Sequence, residues 1–71
     1  MTNVLVFRTN INSDKRIHQA ACRLCKLRGI CRWSIDLEDS DCVLRVETDQ
    51  LTEADIIRLL TRAGFQCDSL N

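Results

Sequence analysis

The amino-acid sequence predicts an α+β domain in which two helices cover one face of a four-stranded antiparallel sheet. Residues 3–8 form a short run rich in Val, Leu and Phe, which favours a strand. Apolar residues recur at a two-residue period, typical of half-buried strands, in residues 30–38 and 42–48. In residues 13–28 and 52–63 they recur every three or four residues, which indicates amphipathic helices.

An internal echo supports this order of elements. The segment VLVFRT at 4–9 resembles VLRVET at 43–48, and LRGI at 27–30 resembles RAGF at 62–65. Two β-α-β halves placed side by side give the ferredoxin-like arrangement, which is a β-α-β-β-α-β two-layer sandwich. We therefore expect one such domain over residues 1–71.

The first half begins with a strand over residues 3–8, followed by a polar turn and a helix. Asn10 and Asn12 favour the turn, because asparagine tolerates the left-handed backbone region. Ser13 can cap the helix, since its hydroxyl accepts a hydrogen bond from the first helical turn. Gly29 is predicted to end this helix. The buried helical face is expected to contain Ile17, Ala20, Ala21, Leu24 and Leu27.

The second half contains two strands, a helix and a short last strand. Alternation directs one set of side chains from residues 30–38 and 42–48 towards the core. Thr52 and Asp55 have the spacing of a capping box, and Gly64 is predicted to end the second helix. The side chains predicted to face inward include Cys31, Trp33, Ile35, Leu37, Cys42, Leu44 and Val46, with Phe65 and Cys67 in the last strand. The alternatives are that Cys31, next to Gly29 at the strand start, is partly accessible and that Trp33 makes an exposed contact at a sheet edge.

Composition narrows the class of protein. No apolar run approaches the ~18–20 residues that cross a bilayer, and the first residues lack the pattern of a signal peptide. We expect a cytoplasmic protein without membrane insertion, in which thiols stay reduced. The five cysteines are an odd number, which does not favour a closed disulfide framework.

The net charge of zero conceals a division between the two parts of the chain. Residues 8–32 hold seven basic side chains and one acidic one, a formal net charge of +6. Residues 33–71 hold nine acids and three arginines, a formal net charge of −6. This asymmetry can steer a charged partner, or it can simply solubilise two faces of a small domain.

Two motifs resemble a known family. LRGICRWSIDLE at 27–38 and LTEADIIRLLTRAGF at 51–65 are similar to the later motifs of the heavy-metal-associated domain, which occurs in copper chaperones and metal-transporting ATPases. The family pattern fits without gaps from Ile11 to Glu38. The resemblance implies the ferredoxin-like fold, and it implies docking of protein partners near the first helix.

The family's Met-x-Cys-x-x-Cys metal motif is missing from this chain. In that alignment Ile11 replaces the methionine, and Ser13 and Arg16 replace the two cysteines. Cuprous ion requires soft thiolate ligands, which a hydroxyl and a guanidinium do not supply. We therefore do not expect the family's metal chemistry at this position.

Other residues could replace the lost motif. His18, Cys22 and Cys25 lie on one strip of the predicted helix, at spacings i, i+4 and i+7. An imidazole and two thiolates would suit Zn²⁺ or Cu⁺, with a further ligand from another molecule. The alternative is that these are adventitious surface residues without a metal.

The sequence favours a non-enzymatic protein. A single histidine provides no convincing Ser-His-Asp set, and no glycine-rich phosphate loop is present. Few aromatic residues are available to stack on bases, so nucleic-acid binding is not expected.

We expect an adaptor module without a cofactor, docking a metal-transporting ATPase, another protein or a second copy through Lys15, Arg16, Arg23 and Lys26. The alternatives are metal binding through His18, Cys22 and Cys25, and a small-molecule-sensing dimer.

Overall fold

The structure is a computed structural model that describes residues 2–70. Its elements follow the predicted order β-α-β-β-α-β, and the strands form one sheet in the order β2-β3-β1-β4 with every neighbouring pair antiparallel. This confirms the predicted fold class. The elements are β1 (Asn3–Thr9), α1 (Asp14–Leu24), β2 (Ile30–Asp36), β3 (Val43–Thr48), α2 (Glu53–Arg62) and β4 (Cys67–Ser69).

The core lies between the sheet and the two helices. The central strands β1 and β3 contribute Phe7, Leu44 and Val46, which are fully buried. The helices contribute residues at helical spacing on their inner faces, including Ala20 of α1 and Ile56 and Leu60 of α2. Within residues 2–70, no helix has the length and apolar character that crossing a bilayer demands.

Two buried threonines hold the ends of the central strands. Thr9 ends β1, and its hydroxyl donates to the carbonyl of Cys42 at 2.7 Å while accepting from the N–H of Ile11. Thr48 ends β3, and its hydroxyl donates to the carbonyl of Gly29 at 2.6 Å. The Thr48 hydroxyl also accepts from the N–H groups of residues 50 and 51. Each threonine therefore ties a strand end to a loop in the other half of the chain.

Both helices begin at the predicted capping residues. The Ser13 hydroxyl accepts from the N–H of Arg16, and the side chains and backbones of Thr52 and Asp55 form a reciprocal capping box. The backbone N–H of Thr52 donates to the Asp55 carboxylate, and this hydrogen bond lowers the pKa of Asp55. Local sequence thus specifies both N-termini, as the capping rules require.

The predicted end of the first helix is wrong. The helix ends at Leu24, and the chain continues through turns in which Lys26 and Leu27 donate N–H groups to carbonyls only three residues earlier. Gly29 lies in the loop before β2 with φ near +100°, a region that favours glycine. Leu27 still packs against the core, so it keeps its predicted burial without being helical.

The turn between β2 and β3 also differs from the prediction. Strand β2 ends at Asp36 rather than near residue 38, because the Asp36 carboxylate accepts from the N–H of Glu38 and turns the chain. Leu37 therefore lies outside the sheet and is 42% exposed. Cys42 precedes β3 instead of beginning it, and its φ is +46°. Cys42 is nevertheless buried, as predicted.

Cys31 is the main error in the predicted core. The pairing of β2 with β3 aligns Ile30 with Thr48 and Arg32 with Glu47, so Cys31 is an extra residue in an irregular register. Such a bulge inverts the alternation of side chains. Ile30, Trp33 and Ile35 therefore pack against the core, whereas Cys31 is exposed.

We predict that Thr48→Val destabilises the fold by about 1–3 kcal/mol, because the isosteric change leaves the partly buried Gly29 carbonyl without its donor. Urea unfolding measures the effect. Thr61→Val on the exposed face of α2 is the matched control, and its effect should stay within about 0.5 kcal/mol. Equal stability of the two variants would contradict the role assigned to the Thr48 hydroxyl.

We also predict a loss of stability at alkaline pH. Burial, with a contribution from Asp68, raises the pKa of the Cys67 thiol from 9.0 to about 12. Between these values the unfolded chain releases the thiol proton while the folded chain retains it, so the free energy of unfolding falls as the pH rises. Unfolding curves of the Cys67→Ala variant should show a shallower decline. An identical decline in both proteins would exclude this contribution.

Candidate functional site

The loop between β1 and α1, residues 10–13, is held firmly against the domain. Ile11 is fully buried, and its N–H is bonded to the Thr9 hydroxyl. The side-chain oxygen of Asn10 accepts from the N–H of Gln66 at 2.9 Å, which joins the loop to the segment before β4. The loop is thus attached both to the end of β1 and to the segment before β4.

Ser13 and Arg16, which the sequence pattern aligns with the family's metal-binding cysteines, have structural contacts in this loop. The Ser13 hydroxyl accepts from the N–H of Arg16 at 3.2 Å. The Arg16 guanidinium donates to the carbonyl of Asn10 at 3.4 Å. The corner therefore presents hard oxygen atoms and a positive charge, and these do not fit a cuprous ion, which prefers sulfur.

The predicted docking residues form an exposed basic surface, which we define as Lys15, Arg16, Arg23 and Lys26. The first three belong to α1, and Lys26 lies in the turn that follows it. Across residues 2–70, ion pairs join Arg8 to Asp41 at 3.6 Å and Arg32 to Glu47 at 3.8 Å, and none includes a member of the basic surface. These four charges are thus available to an outside partner.

The predicted metal ligands are divided between two grooves. His18 and Cys22 line a groove of about 370 Å³ together with Phe65. Cys25, at the C-terminal cap of α1, instead lines a groove of about 350 Å³ with Cys31 and Trp33. In the part of the chain that the structure describes, no three His, Cys, Asp or Glu side chains are grouped so that they could hold a metal ion.

Sequence reasoning did not predict that Cys25 and Cys31 line the same groove. The alternation in residues 30–38 assigned Cys31 to the core, and no local signal in the sequence marks the bulge that exposes it. Among the free cysteines, Cys22, Cys25 and Cys31 are exposed, while Cys42 and Cys67 are buried. The exposed thiols are those that can react or bind.

Comparison with known proteins identifies the fold. No family model and no curated protein sequence matches the chain significantly. The apo HMA domain of the copper chaperone for superoxide dismutase superimposes with a TM-score of 0.83 at 18% identity, covering 100% of this chain and 69% of that chain. Oxidized MerP from Ralstonia metallidurans CH34 gives a TM-score of 0.84 at 11% identity, covering 100% of both chains.

A further solved structure belongs to the same group. The yeast copper transporter domain CCC2A gives a TM-score of 0.80 at 18% identity, covering 96% of this chain and 94% of that chain. The chain thus has the ferredoxin-like fold of heavy-metal-associated domains. At such low identity the likeness concerns the fold, since unrelated functions are hosted by one fold.

We predict that Ser13→Cys/Arg16→Cys creates a Cu⁺ site at the start of α1. The hydrogen bond from the Arg16 N–H to the Ser13 hydroxyl brings these two positions together, so two thiolates there would be adjacent. The change is made in a chain carrying Cys22→Ser, Cys25→Ser and Cys31→Ser, and an anaerobic Cu⁺ titration measures the stoichiometry. One bound ion per chain is expected.

The control for this experiment is the triple serine chain with Ser13 and Arg16 unchanged, which should bind no Cu⁺. Binding by this control would mean that the natural corner holds the metal without sulfur. A failure of the new thiols to bind would mean that the loop geometry, and not only the chemistry of its side chains, differs from that of a copper carrier.

Proposed function

We propose that this chain is a small non-enzymatic binding module that docks an acidic protein surface through its basic surface. The observation that carries the proposal is the set of four exposed cations on and beside α1 that form no ion pair within residues 2–70. Charges already paired within the chain would attract a partner only weakly, whereas the four cations of the basic surface are available to pair with acidic groups.

The electrostatics favour recognition by charge. Lys15, Arg16 and Arg23 project from one helix, and Asp14 is the only acid within residues 8–32. Complementary charge accelerates association and suppresses pairing with basic surfaces. Arg16 combines two tasks, because its N–H completes the cap at Ser13 while its guanidinium lies beside the loop. The loop and helix can therefore act as one rigid docking element.

A metal-transporting ATPase domain and a second copy of this chain are the proposed partners. The first is supported by likeness to a copper transporter domain and to a copper chaperone for superoxide dismutase, proteins whose names place them in metal handling. The second is supported by the formal charge of −6 on residues 33–71. The proposal assigns the module to the cytoplasm, without nucleic-acid binding or membrane insertion.

Metal handling is the second candidate function. It remains open without the Met-x-Cys-x-x-Cys motif, because other side chains could bind the metal. His18 and Cys22 line one exposed groove, and Cys25 is exposed a turn further along. One solved structure of similar fold is a copper(I)-loaded domain. This candidate requires a partner molecule to complete the ligand set. Its signature is metal that is lost in the Cys22→Ser variant alone as well as in the Cys22→Ser/Cys25→Ser variant.

We predict that reversing three charges, Arg16→Glu, Arg23→Glu and Lys26→Glu, weakens the complex. Exposed ion pairs contribute ~0.2–1 kcal/mol each, and reversal replaces attraction by repulsion, so the dissociation constant should rise about tenfold or more. The ¹⁵N-labelled chain is titrated with the metal-binding domain of an ATPase from the same organism. Sedimentation of the chain alone tests self-association.

The matched control reverses three arginines elsewhere, Arg45→Glu, Arg58→Glu and Arg62→Glu, which are also exposed. The control should keep the affinity of the unchanged protein at equal salt concentration. Comparable weakening in both variants would reduce the effect to net charge and contradict a defined basic surface. Absence of binding to the ATPase domain together with a monomeric chain would contradict both proposed partners.

A further inference from the structure

Two exposed thiols line the groove between the end of α1 and the start of β2. Cys25 and Cys31 both line it, with Trp33 beside them and Leu27 and Ile30 completing the apolar wall. The groove is distinct from the corner at Ser13, because α1 separates them by its eleven residues, or about 16 Å. It is also separate from the groove of His18 and Cys22.

The backbone on each side of this groove is fixed. The N–H of Cys25 donates to the carbonyl of Ala21 at 2.9 Å, and its neighbour Leu24 is only 1% exposed. On the other side, the Thr48 hydroxyl holds the carbonyl of Gly29 immediately before β2. The two cysteines are thus presented by anchored segments, which limits the ordering cost of binding a ligand between them.

The bulge in β2 explains why Cys31 faces the groove. A regular strand would turn this side chain into the core, but Ile30 and Arg32 pair with successive residues of β3 and leave Cys31 without a partner position. Bulges commonly re-aim a side chain at a sheet edge, and β2 is an edge strand. The local irregularity therefore has a specific result, which is a second exposed thiol in the groove that Cys25 lines.

We propose that Cys25 and Cys31 form a two-thiolate site for cuprous ion. Soft thiolates select Cu⁺, and this ion accepts linear coordination by two sulfurs. Zn²⁺ in proteins is almost always bound by four ligands, whereas residues 2–70 contain no group of three suitable side chains. Binding forms two Cu–S bonds and releases the two thiol protons to solvent.

The charge of such a centre suits its surroundings. Two thiolates and one Cu⁺ have a combined charge of −1. Lys26 and Arg28 lie in the turn that joins the two cysteines, and Arg32 lines the groove. Cations that would repel a bare metal ion favour the anionic complex instead. The site rests on the groove and its two thiols, so it stands independently of the proposed docking function.

Trp33 provides a built-in reporter for the test. It is the only tryptophan of the chain, and it lines the same groove as the two thiols. The reduced, full-length protein is titrated with Cu⁺ under anaerobic conditions in the presence of a competing Cu⁺ chelator. We expect one bound ion per chain and a change in Trp33 fluorescence that saturates at the same ratio.

Single serine variants identify the ligands. Cys25→Ser and Cys31→Ser should each lose the bound ion and the fluorescence change, while Cys22→Ser, an exposed thiol on the same helix, should retain both. Thermal unfolding checks that all three variants are folded. Retention of Cu⁺ by the Cys31→Ser variant, or its loss in Cys22→Ser, would overturn the proposal and favour the groove of His18 instead.

Two measurements on the unchanged protein complete the test. Native mass spectrometry should show one Cu⁺ for each chain in whichever assembly is present, and a single ion bridging two chains would contradict a site built within one chain. Alkylation with iodoacetamide should be blocked by Cu⁺ at Cys25 and Cys31 and should proceed at Cys22. Equal alkylation of all three thiols with and without Cu⁺ would overturn the assignment without the use of any variant.

Discussion

The two buried threonine hydroxyls are the constraint on which the rest of this domain depends. Thr9 and Thr48 end the central strands, and each hydroxyl donates to a carbonyl in a loop of the opposite half of the chain. Because each also accepts from the backbone just beyond its own strand, it sets where the chain departs towards the next helix. An unmet buried carbonyl would cost ~1–3 kcal/mol, a considerable share of a small domain's stability.

These same contacts position the loop before α1 and the turn after it. At the start, Thr9 and Asn10 hold a loop in which Arg16 contacts a carbonyl. At the far end, Thr48 holds the turn that leads from Cys25 to the bulge of β2. Positive charge is concentrated along the helix between them. The basic surface and the thiol groove are therefore supported by one scaffold but consist of different side chains.

The fold resembles those of solved structures at only 11–18% identity, which is possible because the fold needs little sequence in common. Alternation in the strands, apolar stripes on the helices and two capped helix starts are sufficient to specify it. The corner between β1 and α1 carries no such requirement for sulfur. In this chain the corner contains the Ser13 cap and the Arg16 guanidinium.

The sequence by itself determined the order of elements, because that order follows from local periods and caps. Ser13 and Thr52 mark both helix starts through contacts with residues three positions away, and Phe7, Leu44 and Leu60 are buried by simple spacing. Only the tertiary structure decided that α1 ends at Leu24 and that Cys31 leaves the core. The end of α1 is set by the turns in which Lys26 and Leu27 donate to carbonyls three residues earlier. Cys31 instead leaves the core because β2 pairs with β3 through a bulge, a register that the alternation of residue types does not reveal. That is why the sequence could group Cys22 with Cys25, whereas the structure groups Cys25 with Cys31.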